Sequence, residues 1–239
     1  MIDNPLTSPH HDLSELNRTR INYALLGLPI FCVLFMFLPA GTLRWTKGWI
    51  FIGVFLVSET IAAVYLWKTN PELLIARSHP HAGTKRWDKI LLTFLFPSMI
   101  SIFVVAALDD GRFHWSILPF WIVMPGYVLF FVGLLIGVSA GKANKFAEPT
   151  VRIQTDRGHT VVETGSYRVV RHPGYAGGIM MFFGIALALG SLWATIPALV
   201  TTLILSVRTE LEDRTLQEEL RGYKEYTRKV RHKLIPYVW

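Results

Sequence analysis

Polar and apolar positions in this chain fall into long blocks, without the fine alternation expected of strands. Apolar stretches run roughly over Ile21–Ala40, Trp49–Trp67, Ile90–Leu108, Ile117–Ala140, Tyr175–Leu189 and Leu192–Val207, with short charge-dense stretches between them. A bilayer core takes about 20 helical residues to cross. The first four stretches have that length and the last two fall short. None carries the strong 3.6-residue alternation that marks a helix on a soluble core. The pattern predicts an all-α, polytopic transmembrane helical bundle of about six spans. Gly190-Ser191 and Pro197 predict a tight helical hairpin for the last two stretches, with one long broken segment as the alternative. Pro29, Pro97 and Pro125 fall inside spans, where neighbouring helices make kinks tolerable.

Charge sharpens this picture. Of the residues, 51% are hydrophobic and 17% charged, against about 25% charged in a soluble domain. All but three of the 24 Lys and Arg lie in 1–20, 68–89, 141–174 and 208–239; the exceptions are Arg44, Lys47 and Arg112. With six spans those four segments share one side. The positive-inside rule then predicts an integral, multi-pass protein with both termini in the cytoplasm. The net charge of +7 and pI near 9.6 therefore reflect membrane orientation, and no nucleic-acid partner is expected. Cys32 is the only cysteine, which rules out an intrachain disulfide and a cysteine zinc site; no metal is expected. Met1–Arg20 lacks the apolar core of a cleavable signal, so the first stretch is expected to stay in the mature protein. Trp45, Trp49, Trp67, Trp87 and Trp115 sit near stretch ends and read as interfacial anchors. Glu59 is the one acidic residue deep in an apolar stretch. It either contacts a substrate or polar partner, or is a protonated carboxyl bonded to a neighbouring helix.

Two polar clusters carry candidate chemistry. The first reads Thr164-Gly165-Ser166-Tyr167-Arg168-Val169-Val170-Arg171-His172-Pro173-Gly174-Tyr175, a basic loop running into an apolar helix. His172 exchanges protons near neutral pH, Arg171 offers a fork for a carboxylate, and Pro173 suits the first turn of a helix. Free N–H groups at that helix start would suit an anion. The second cluster reads Arg208-Thr209-Glu210-Leu211-Glu212-Asp213, just past the last stretch. Arg208 and Glu212 are four apart and share a helical face, which by itself also fits a routine interfacial ion pair. Leu211, Leu216 and Leu220 form an apolar strip that would return an amphipathic C-terminal tail to the bundle.

Together, Arg171-His172-Pro173-x-Tyr175, Arg208-x-x-x-Glu212-Asp213, Tyr223-x-x-Tyr226 and the closing Pro236 resemble the isoprenylcysteine carboxyl methyltransferase superfamily, which also holds membrane phospholipid and thiol methyltransferases. The resemblance covers about the last 75 residues closely; 1–140 match only in being transmembrane. It departs at Asp213, where the family usually has a second glutamate.

The resemblance implies one membrane domain over 1–239, with four spans in 1–140 and a cofactor-binding catalytic region in 141–239, open to the cytoplasm. It implies S-adenosylmethionine as cofactor, without the soluble glycine-rich nucleotide motif, which this chain also lacks. Tyr167, Arg171, His172, Pro173 and Tyr175 would line the cofactor site, and Glu212 and Asp213 would hold its polar groups. Arg208 would orient Glu212 and face a lipophilic methyl acceptor: a prenylcysteine carboxylate, a phospholipid amine or a thiol. Partners would be that acceptor and membrane lipid, with no obligate protein partner. The competing expectations are an NADPH-dependent membrane reductase of the sterol reductase type and a non-catalytic membrane protein.

Overall fold

A computed structural model describes residues 27, 29–77 and 83–239. The polar N-terminal segment and the start of the first apolar stretch lie outside the described residues. The described chain is helical and contains no strand. Helices α1 (Pro29–Ala40), α2 (Thr46–Thr69), α4 (Arg86–Phe113), α5 (Phe120–Ala143) and α6 (Pro173–Ala188) are apolar. Of these, α2, α4 and α5 are long and apolar enough to cross a membrane. A short helix α3 (Pro71–Arg77) follows α2. Helix α7 (Thr195–Glu219) begins apolar and ends charged, and α8 (Tyr223–Lys229) turns back beside it. The large apolar side chains left exposed, such as Val57, Ile61, Phe94 and Leu135, face outward all round the bundle, as a lipid-facing surface requires. The chain is thus a helical membrane bundle.

The last two apolar stretches form a hairpin. Gly190 holds φ +83° in the connecting turn, a left-handed conformation that glycine adopts without strain. Helix α6 has 16 residues, about 24 Å of rise, so it is a short span set among longer ones. It compensates by packing backbone to backbone against α5. A Cβ added at Gly133 would sit 2.4 Å from the Gly177 carbonyl oxygen, and one at Gly184 would sit 2.4 Å from the Phe130 nitrogen. Such close approach is how membrane helices gain dispersion contacts where no hydrophobic effect drives them together. Across the bundle, Thr201 Oγ1 donates to Ser98 Oγ at 2.9 Å, joining α7 to α4.

The end bearing the α6–α7 turn is closed by polar contacts. Asp109 is fully buried and accepts from the Ser116 N–H, Ser116 Oγ and Ser191 Oγ at 2.6, 2.7 and 2.5 Å. Asp110 accepts from Lys47 Nζ and from the Trp45 indole. Trp45 therefore departs from the anchoring expectation: it is 5% exposed and packed against Gly48 and Gly111. A buried acceptor for its N–H favours the interior over the interface. Trp49, Trp67 and Trp115 are exposed, as anchors should be.

Candidate active site

At the opposite end the two motif clusters meet. His172 is the residue before α6, and Pro173 takes the first helical position, where its missing N–H and fixed φ are harmless. The backbone here is pinned by the tail: the Arg171 and His172 N–H groups donate to the His232 and Lys233 carbonyls, both at 2.9 Å. The helix start is closed as well, since the Tyr175 and Ala176 N–H groups return to the His172 carbonyl. The expected anion-holding donors are therefore already engaged at those two positions.

Asp213 ties these elements together. It is 1% exposed. Its carboxylate accepts two nearly parallel bonds from the Arg171 guanidinium, at 2.7 and 2.9 Å. Gln217 Nε2 donates at 2.8 Å, the Tyr223 hydroxyl at 3.1 Å, and His172 Nε2 lies 3.3 Å away. Arg171 also donates to the Val230 and Arg231 carbonyls. Burial alone would raise the Asp213 pKa, but the hydrogen bonds and charge of His172 and Arg171 outweigh it and hold the carboxyl well below its ordinary range. Asp213 thus fastens the loop before α6, the body of α7 and the C-terminal tail to one another. In its neutral form with Nε2 donating to Asp213, His172 would leave its other ring nitrogen as an acceptor.

Glu212, one residue earlier, is placed differently. Its carboxylate accepts one bond, from the Tyr175 hydroxyl at 2.5 Å. The Tyr175 ring stacks on His172, with centroids 5.8 Å apart and planes 2° from parallel. Arg208 does not bond Glu212. Its guanidinium donates to Asp88 at 2.7 and 3.2 Å and to the Pro149 carbonyl at 2.6 Å, and it sits 5.4 Å over the Tyr175 ring. Asp88 is fully buried and also accepts from the Val151 N–H. The ion pair suggested by the i,i+4 spacing is replaced by one spanning 120 residues, because Asp88 offers a desolvated, geometrically matched carboxylate.

These groups surround a cavity of about 580 Å³. Tyr167, Arg171, His172, Tyr175, Arg208 and Glu212 line it; Pro173 and Asp213 stand behind it. Tyr223 and Tyr226 line it too, with Tyr226 donating to the Tyr167 carbonyl at 2.6 Å. Leu220, Tyr223 and Tyr226 pack with Leu216, Ile153, Val161 and Val230, so the predicted strip does return the tail, through Leu216 and Leu220. Several lining residues escaped sequence reasoning. Asn144 donates to the Tyr167 hydroxyl at 3.0 Å, and Arg77 comes from α3. Glu148 and His159 come from the loop between α5 and α6. Burial, the largest effect, pushes the Tyr167 hydroxyl up to about 12. Burial also pushes His159 down to about 4, with Arg152 and Arg157 adding to it against Glu148. No periodic or motif signal marks these residues; only the polar density of the 144–163 loop hints at them.

The cavity has two characters. Its polar end carries the residues above. Its other end runs between α2, α5 and α6 past Ala62, Ala63, Gly137 and Gly178 to Glu59, Gly133 and Met181. Gly137 has open space where a Cβ would stand, so there the wall is bare backbone. A chamber of this size, mostly apolar with a few convergent polar groups, has the build of a small-molecule site.

Comparison with known proteins agrees with the geometry. The phospholipid methyltransferase family matches residues 121–221, from α5 to the end of α7. Two rice proteins, from Oryza sativa subsp. indica and subsp. japonica, each described as a probable protein-S-isoprenylcysteine O-methyltransferase, are 24% identical to the chain over 181 residues. That stretch is 74% of this chain and 94% of theirs. The matched region contains both motif clusters, and those clusters are the ones that converge on the cavity. These matches support the resemblance to the isoprenylcysteine carboxyl methyltransferase and phospholipid methyltransferase superfamily.

Proposed function

We propose that the protein transfers a methyl group from S-adenosylmethionine to a lipophilic acceptor, in the cavity lined by His172, Tyr175, Arg208 and Glu212. One observation carries this reading: two polar clusters about 40 residues apart in sequence, on either side of an apolar hairpin, border one cavity that runs from charged walls into apolar ones. The polar end suits a nucleoside joined to an amino acid. The rings of Tyr167, Tyr175, Tyr223 and Tyr226 offer faces for a heterocycle. Glu212 keeps acceptor capacity for hydroxyl or ammonium groups, and Arg77 and Arg208 supply positive charge for a carboxylate.

The cofactor would supply an electrophilic sulfonium methyl. The protein's own contribution is then positioning and exclusion of water. Tyr175 fixes the Glu212 carboxylate, and the Arg208–Asp88 pair braces the Tyr175 ring from the other side. A carboxylate or thiolate acceptor is already nucleophilic. An amine must lose a proton, and Glu212 or the free nitrogen of His172 is the group at hand to take it. The orientation that fits is the one the basic segments favour, with both termini and the polar end of the cavity in the cytoplasm. A water-soluble cofactor would then enter from the cytoplasm and the acceptor from the bilayer.

The direct test is calorimetric titration of the purified protein in lipid nanodiscs with S-adenosylmethionine, alongside release of demethylated cofactor in the presence of membrane lipid. Saturable binding, lost in His172→Ala and Glu212→Ala proteins that remain folded, is the expected result. Absence of binding by the folded wild-type protein overturns the proposal. Tighter binding of NADPH than of S-adenosylmethionine would favour reductase chemistry instead.

A further inference from the structure

Past the deep end of that cavity lies a second, separate chamber of about 460 Å³ among α1, α2, α4 and α6. Its walls are wholly apolar and largely aromatic: Phe51, Phe55, Phe103 and Phe182 contribute, with Phe51 and Phe103 centroids 6.2 Å apart. Met181 lines both chambers. The two are successive turns of the same helices. On α2 the lining passes from Glu59 to Phe55 to Phe51, and on α6 from Gly178 to Met181 to Ile185. Along α5 the first chamber extends from Gly141 to Gly133, about 12 Å at 1.5 Å per residue. Glu59 therefore lines the deep end of the first chamber, one helical turn from Phe55 in the second, within the span and well below the charged rim.

Glu59 makes no hydrogen bond or ion pair with any of the described residues, although it is half-buried in an apolar helix. A carboxyl at such depth is costly, and such residues mark substrate paths or find partners. The bonding to a neighbouring helix that would make it purely structural is not present among the described residues. An unpaired carboxyl one helical turn from an apolar chamber suits an amphiphile lying head to carboxyl and chain to chamber.

We propose that the two chambers form one acceptor path, in which Glu59 receives a hydrogen-bond-donating head group of an amphiphile and the chamber beyond Met181 holds its hydrocarbon chain. This rests on the reading of the polar end as the methyl-donor site, since the donor then occupies the rim and leaves the deep end to the acceptor. Glu59 is a specificity-determining residue on this account. It selects a head group carrying N–H or O–H donors over a carboxylate, which offers only acceptors. The chamber sets the tolerated chain length.

The test uses the full chain in phosphatidylcholine nanodiscs and tritiated hexadecylamine and hexadecanoate as probes, with empty discs subtracted. Wild-type protein should bind the amine about tenfold or more tightly than the carboxylate, the range expected for a hydrogen bond to a charged group. Glu59→Gln, which keeps shape, should bring the two within about twofold of each other. Ile52→Trp, which fills the chamber from its half-buried wall, should weaken hexadecylamine about tenfold and octylamine much less. Equal preference in wild type and Glu59→Gln, or equal loss of both chain lengths in Ile52→Trp, overturns the proposal. Titration with S-adenosylmethionine on the same samples separates the two readings. If the donor fails to bind while the amine preference depends on Glu59, the donor assignment is wrong and only the amphiphile site stands.

Discussion

The two ends of the bundle differ in whether every acidic side chain is filled. At the hairpin-turn end, Asp109 accepts from three donors and Asp110 from two, and together these contacts close the turn. At the motif end, Asp213 and Asp88 are just as well satisfied, yet Glu212 beside them holds a single bond and faces a cavity. Saturation marks architecture, because a buried carboxylate is tolerable only when its lone pairs are filled. Spare acceptor capacity beside a cavity leaves Glu212 able to hold a ligand. Adjacent residues of one helix, Glu212 and Asp213, fall on either side of that division.

The comparison breaks most severely at Asp213. Asp213→Ala leaves Arg171 buried without its counter-charge, and loss of one partner of such a pair costs about 3–5 kcal/mol. A large fall in thermal midpoint, with loss of donor binding as a consequence, is expected in detergent unfolding. The sign with pH follows from the depressed pKa. The contribution of Asp213 is fully present above the ordinary carboxylate range and is lost as pH falls below that range. An acid limb unchanged by the substitution would show that the carboxylate is not the clasp.

Glu212→Gln sharpens the contrast from the other side. It keeps the volume and one acceptor for Tyr175, so the thermal midpoint should hardly move, while methyl transfer should fall about 100-fold through lost positioning. A fall in stability with unaltered turnover would invert the assignment of the two carboxylates. At the far end, Asp109→Ala should cost about 1–3 kcal/mol, since it strands buried hydroxyl and N–H donors. It should leave donor affinity within about twofold of wild type, as effects at distant, unshared sites stay nearly additive.

At neutral pH the smallest expected effect belongs to His159 in the cavity wall. Burial holds its pKa near about 4 in the fold, below the unfolded value of about 6.5. The unfolded chain therefore binds the extra proton first, and stability present above pH 6.5 is lost as pH falls towards 4. His159→Gln should flatten the thermal midpoint over that interval. A wild-type midpoint already flat between pH 6.5 and 4 would contradict this placement of His159.

Much of the site was legible because its residues are clustered locally. Arg171, His172, Pro173 and Tyr175 lie within one turn of a helix start, and Arg208 and Glu212 lie on one face of α7. What lay far apart was not legible. Asp88 is 120 residues from the arginine it holds, and Asn70 reaches 71 residues to the Gly141 carbonyl. Arg208 and Trp45 show the same limit. Spacing suggested Glu212 for the first and the interface for the second, and in each case a distant buried aspartate offered the better partner.

The sequence by itself determined the helical, membrane-embedded character and the hairpin of α6 and α7. Those depend on hydrophobicity summed over about 20 consecutive residues and on a turn that glycine permits. Tertiary structure alone decided which carboxylates are filled and which are left open, and that Glu59 lines a cavity. The state of a carboxyl depends on donors brought to it from other helices, and no local property of the chain specifies how those helices meet.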